Sequence, residues 1–402
     1  MKLLADRITN LSASRRDLAG DRPWWEALDP AFYKHHDQFD MGVLDVAAVE
    51  LTGSLDENLR RLGALGVALT AVPIGFNPFT LRRALRESAV YRRAAEAGDP
   101  KLIFEPPPEV SVRTRTPRNF LFRPRDGTCE DLTFESPFTP IHPSLRREYR
   151  AHGRNRIARA RLWRHSGPPR PTVVAIHGYF ADQRWFNEWF FDLRRIYEMG
   201  CDVALFTLPF HGPRSGNGSV FSGHRLFAGG LSWINEAFAQ AVMDFRALLA
   251  HLIDHRSVPA VGVTGISLGG YTSALLAAVE PRLAFSIPNV PVASLPDLVL
   301  EWTPIGTALR SGLTLFRSRV EDVRLVTAGH CPLSYPPVLP KDRLMVIGGV
   351  GDRLAPPKHA RLIWEHWGEP AIHYFPGSHV LHLRRGAYLD QVERFLRGIN
   401  FV

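Results

Sequence analysis

Cysteine and lysine are the scarce residues of this 402-residue chain. The three cysteines, Cys129, Cys201 and Cys331, are odd in number and widely spaced, with no Cys-x-x-Cys pair. That excludes a disulfide scaffold and argues against a structural zinc site. Only Lys2, Lys34, Lys101, Lys341 and Lys358 are lysine among 49 basic residues, so the net charge of +9 rests on arginine. The start of the chain, MKLLADRITNLSASRR, has an apolar stretch too short for a secretory core, and Asp6 interrupts it. A cytoplasmic protein is the expectation. Long apolar runs are also missing, with one exception. Residues 62–81 carry no charge between Arg60-Arg61 and Arg82-Arg83. Twenty such residues would just span a bilayer, but Gly63, Gly66, Pro73, Asn77 and Pro78 break the run. A buried helix and turn is the first reading, and contact with a membrane surface the second. With 45% hydrophobic against 22% charged residues, the composition is that of a globular chain.

The pattern changes near residue 115. Residues 41–62 and 79–97 space their apolar positions as helices do, and 106–124 is a Pro- and Arg-rich arm. This suggests an N-terminal helical extension with linker over 1–115 and a second domain over 116–402. In the second part strands and helices alternate. Strands are expected at 131–138, 155–164, 172–177, 201–208, 260–266, 283–288, 343–348 and 371–375. Helices are expected at 184–198, 232–255, 268–280, 358–367 and 386–398. Apolar runs without alternation, each followed by a helix, indicate parallel strands buried on both faces. In 155–164 the alternation places Arg159 and Arg161 on an exposed face. Residues 292–340 read as an inserted set of helices and loops.

One motif carries chemistry. Gly265-Ile266-Ser267-Leu268-Gly269 follows an apolar strand and opens a helix, the strand–turn–helix of a nucleophile elbow. The glycines two before and two after the serine are needed because side chains there would clash. A serine hydroxyl needs a base, and the base an orienting acid. Asp352 and His379 each lie just beyond a strand, where sites of open parallel sheets collect. The order Ser267, Asp352, His379 is the one this architecture uses. Backbone N–H groups of Leu268 and Tyr179 are the expected oxyanion donors. Asp297 competes with Asp352 for the acid, and His382 with His379 for the base. His177, Gly178 and His211 are expected to line the pocket wall. Trp24-Trp25 and the aromatics of 185–191 read first as core, and second as an apolar pocket wall.

These motifs resemble the α/β-hydrolase superfamily over 155–402. The residues that carry the likeness are His177-Gly178, the elbow, the acid loop Gly351–Pro356 and the turn Gly377-Ser378-His379. The loop Leu208–Arg214 is similar to that of a sparsely characterised branch of ester hydrolases related to dienelactone hydrolases. The resemblance implies a mostly parallel eight-stranded sheet with helices on both faces, and 292–340 as a lid. It further implies a serine hydrolase cleaving carboxylic esters without metal or organic cofactor, and the aromatic content with the uncharged 62–81 run points to apolar acyl groups. A peptidase or acyltransferase on the same triad is the alternative, as is a lipid hydrolase docked on a membrane. The expected partner is a small-molecule ester. Eight arginines between Arg146 and Arg164 could bind phosphate, but no nucleic-acid motif accompanies them, so anionic lipid is the more apt partner for that charge.

Overall fold

The computed structural model describes residues 22–402 apart from 119–120, 181–182 and 316. The N-terminal stretch read above for a targeting signal lies outside the described residues. The strands form one sheet: β1 (Arg113–Arg115), β2 (Gly127–Glu135), β3 (Ile157–His165), β4 (Thr172–Ile176), β5 (Asp202–Thr207), β6 (Val261–Ile266), β7 (Leu283–Asn289), β8 (Met345–Gly349) and β9 (Ala371–Phe375). The order is β1-β2-β3-β5-β4-β6-β7-β8-β9. β1, β2, β3 and β5 pair antiparallel, and all pairs from β5 through β4 to β9 are parallel. Every residue of β4, β6 and β8 is buried, as expected of strands covered by helices on both faces.

Among the described residues the sheet has nine strands where eight were expected. The extra one, β1, comes from the Pro- and Arg-rich arm and adds to the sheet edge with three exposed residues. The expected helix 184–198 is two helices, Arg184–Phe190 and Leu193–Glu198, because Asp192 takes a left-handed conformation. The expected helix 232–255 ends at Ala250 and closes in a wider turn, His251–His255. Arg161 is not on an exposed face. It is buried and reaches Asp131 at 2.8 Å, so this part of the arginine excess is neutralised inside the protein.

The N-terminal residues pack into the same core as the sheet's helices. Trp24 and Trp25 are buried, and Trp24 Nε1 donates to Ser334 Oγ at 2.8 Å. The Lys358 ammonium is buried beneath this segment. It donates to the carbonyls of Phe32, Tyr33 and His35, each at 3.0 Å, and pairs with Glu301 at 2.9 Å. A long helix, Val43–Thr70, then runs past the C-terminal ends of β8 and β9, followed by a short turn and the helix Pro78–Ala97. The uncharged run 62–81 is thus the end of one helix, a turn and the start of the next. Among the described residues no helix is long and apolar enough to cross a membrane.

Candidate active site

Ser267 sits between β6 and the helix Leu268–Val279 with φ 56° and ψ −111°. A non-glycine residue holds such a conformation only where its surroundings impose it. Here they do: a Cβ on Gly265 would lie 2.2 Å from the Gly269 carbonyl oxygen, and one on Gly269 would lie 2.0 Å from that of Ile176. The Ser267 N–H donates to Asn289 O at 3.1 Å, and its carbonyl accepts from Tyr271 N–H at 2.8 Å. The backbone is fixed, and the side chain is left half-buried at the rim of the sheet.

The strand order reverses at β4, which has β5 on one side and β6 on the other. Ligands of open α/β sheets bind beyond the strand ends at such a switch. Ile176 stands opposite Gly265 there, so the His177-Gly178 turn meets the elbow. A Cβ on Gly178 would lie 3.4 Å from Ser267 Cβ, a spacing that leaves room for the serine beside this backbone. Tyr179 follows at once. Across the crevice, Leu268 begins a helix whose first N–H groups have no intrahelical acceptor.

Asp352 and His379 meet. His379 Nδ1 donates to Asp352 Oδ2 at 2.6 Å, while Asp352 Oδ1 accepts from the N–H groups of Leu354 and Ala355 at 2.9 and 2.7 Å. The carboxylate is therefore aimed at the ring by its own loop. Burial disfavours the imidazolium, but the Asp352 and Asp56 carboxylates outweigh it and hold His379 above the usual histidine value. Among the described residues no hydrogen bond links the Ser267 hydroxyl to the ring; such bonds are often long before substrate arrives.

A residue the sequence did not single out holds this pair in place. Asp56, fully buried on the inner face of the long helix, accepts from His379 N–H at 2.6 Å and from Arg353 N–H at 3.2 Å. One carboxylate thus ties the loop of His379 to the loop of Asp352. The Gly351 N–H adds a bond to Gly377 O at 2.8 Å, and Arg60 donates to Arg353 O at 3.2 Å. The signal was present in weak form. At helical spacing Asp56 falls with Val49, Gly53 and Gly63 on a face of small and apolar residues, away from Glu50.

The competitors are occupied elsewhere. Asp297 forms a two-bond pair with Arg324, at 2.6 and 3.0 Å, with both side chains wholly buried. Arg324 also donates to Leu28 O, so this pair fastens the N-terminal segment to the 292–340 insertion. His382 Nε2 reaches the His379 carbonyl at 3.2 Å, its ring packs on Phe375, and burial pushes its pKa down to about 3. His177 accepts from Leu208 N–H at Nε2, 3.1 Å, and donates from Nδ1 to Gly178 O, 2.8 Å. It is a buried neutral strut between the loops after β4 and β5, with its pKa lowered to about 4 by burial. His211 Nδ1 donates to Pro209 O at 2.8 Å, and burial, then the His177 ring 5.0 Å away, hold it well below the usual value. Beside Gly178 stands an aromatic wall of Tyr179, Phe180, Phe221 and Phe227. A groove of about 530 Å³ lined by Pro106–Val110, Arg246 and Glu280–Arg282 lies near the strand starts, away from all of these groups.

No protein-family model matches the chain. Two uncharacterized proteins from two strains of Mycobacterium tuberculosis are 32% identical to it over 286 residues. The match covers 69% of this chain and spans 64% of the length of each relative. Among solved structures, acetyl xylan esterase 1 from a Thermoanaerobacterium species superposes with a TM-score of 0.54 at 16% identity, covering 78% of this chain and 93% of that one. Acetyl xylan esterase from a Paenibacillus species gives 0.55 at 13% identity, covering 76% and 93%. The sheet order, the switch at β4 and the elbow after β6 agree with that likeness: the chain has the α/β-hydrolase fold.

Proposed function

We propose that this protein is a serine hydrolase of carboxylic esters. The observation that carries the reading is the 2.6 Å bond from His379 Nδ1 to Asp352 Oδ2, at the same end of the sheet as the strained Ser267. With Nδ1 committed to the carboxylate, the free nitrogen of His379 is the one that accepts a proton. His379 takes the Ser267 proton as Oγ attacks the ester carbonyl. The N–H groups of Leu268 and Tyr179 receive the oxyanion, and His379 returns the proton to the leaving alcohol. Water, deprotonated by the same nitrogen, then releases the acid from the acyl-serine. The aromatic wall of Tyr179, Phe180 and Phe221 favours an apolar acyl group over a charged one. The 292–340 insertion and the long helix, which both contact the acid loop, form the cover of the pocket.

The test is labelling with a fluorophosphonate probe, followed by hydrolysis of p-nitrophenyl esters of increasing chain length, with amide and thioester analogues alongside. Ser267→Ala is expected to lose the label and at least about a 10³-fold in ester turnover. Retention of both would overturn the mechanism.

A further inference from the structure

Among the described residues, the outer face of the long helix Val43–Thr70 has no neighbour. Six leucines, Leu51, Leu55, Leu59, Leu62, Leu65 and Leu69, lie on it with exposures between 39% and 76%. The inner face of the same helix is already packed on the catalytic loops through Val49, Gly53 and Asp56. A helix that is apolar on two faces and solvated on one leaves part of its apolar surface unmatched.

The spacing of that outer face says what fits it. Ala48, Leu51, Leu55, Asn58, Leu62, Leu65 and Leu69 follow one another by alternating steps of three and four. This is the seam of a two-stranded coiled coil, in which side chains of one helix seat between those of another of the same kind. Asn58 is the seam's one polar side chain. Where two such helices run parallel it meets its own copy, and each amide can donate to the other, as polar seam positions that fix register do. The exposed leucines present on the order of 600 Å² per chain, so a pair would cover about 1,200 Å², the lower bound of stable interfaces. A lipid surface fits less well. The one charge flanking the seam, Arg61, is paired with Glu57 at 3.0 Å, whereas anionic lipid calls for an excess of base.

We propose that the chain associates with a second copy of itself through the seam Leu51–Leu69. The inference does not depend on the hydrolytic reading. Analytical ultracentrifugation of the full chain is expected to give twice the chain mass. Leu55→Glu with Leu62→Glu is expected to halve it while leaving the circular dichroism spectrum unchanged. Asn58→Cys, in a chain whose own Cys129, Cys201 and Cys331 are buried, is expected to give a disulfide-linked pair on mild oxidation. Three results would overturn the proposal: a monomeric wild type, a dimer indifferent to the double substitution, or a monomer that pellets with phosphatidylserine vesicles and loses that property in the double variant. If the double variant fails to fold, failure of the Asn58→Cys chain to cross-link refutes the seam by itself.

Discussion

Asp56 is the sharpest place to test the link between the N-terminal helix and catalysis. Its Oδ2 receives the His379 N–H at 2.6 Å and the Arg353 N–H at 3.2 Å, in a site sealed from water. Hydrogen bonds to a charged acceptor contribute about 1.5–3 kcal/mol each, net of solvent. Asp56→Asn keeps one acceptor oxygen but not the charge, so a loss of about 1.5 kcal/mol, near tenfold in kcat/KM, is expected. Asp56→Ala leaves both N–H groups unsatisfied and is expected to reach about 100-fold, carried by kcat rather than KM. A second readout separates positioning from mere structure. The Asp56 carboxylate adds to Asp352 in raising the His379 pKa. A raised pKa keeps the base protonated to higher pH, so the acid limb of kcat/KM lies above the free-histidine value of about 6.5. Removing the Asp56 charge lowers that pKa, and the limb moves to lower pH in both variants. The assay is the pH profile of p-nitrophenyl acetate hydrolysis, with thermal melts run in parallel. If both variants melt lower while kcat and the acid limb stay at wild-type values, Asp56 is only a structural fastening and the reasoning is refuted.

The other predictions concern neighbouring groups. Asp352→Asn is expected to fold normally and to lose about 10⁴-fold in kcat, because Nδ1 no longer has an anion to orient it; a loss under tenfold argues for another acid. Asp297→Ala strands the buried Arg324 guanidinium and is expected to cost about 3–5 kcal/mol in urea unfolding, while the folded fraction still takes the fluorophosphonate label. His382→Gln is expected to leave the acid limb of the pH profile unmoved, since a histidine whose pKa is near 3 is neutral throughout the working range. Gly265→Ala, whose Cβ would stand 2.2 Å from Gly269 O, is expected to cost about 3 kcal/mol or more in stability and to remove the label, which electrophoresis of the labelled protein reports.

What could be read from the sequence was what local chemistry announces. The elbow was legible because two glycines and a serine encode a turn that few other sequences tolerate, and β4, β6 and β8 because strands covered on both faces have no polar alternation. Asp352 and His379 were legible as residues just past strand ends. The unread parts are set by distant partners. β1 is three residues, Arg-Thr-Arg, that pair only because β2 offers an edge. Arg161 looked like a solvated alternate of β3, yet Asp131, one strand away, neutralises it in the interior. Asp56 resembled any helical acid until the loops carrying Arg353 and His379 came to rest on it. Alternation and propensity report on near neighbours, and these three residues take their meaning from far ones.

The bond between Asp56 and His379 joins positions 323 residues apart. At a ribosomal rate of about 5–20 residues per second, roughly 15–65 s separate the synthesis of the two. Through that interval Asp56 lacks the His379 N–H it will accept from, and Ser267 emerges without the ring that, on the proposed mechanism, would take its proton. On that mechanism the nascent chain is chemically silent, and Ser267 would become competent only when the last strand and the turn after it close onto the first long helix. Activity, on the same mechanism, would mark the completed fold.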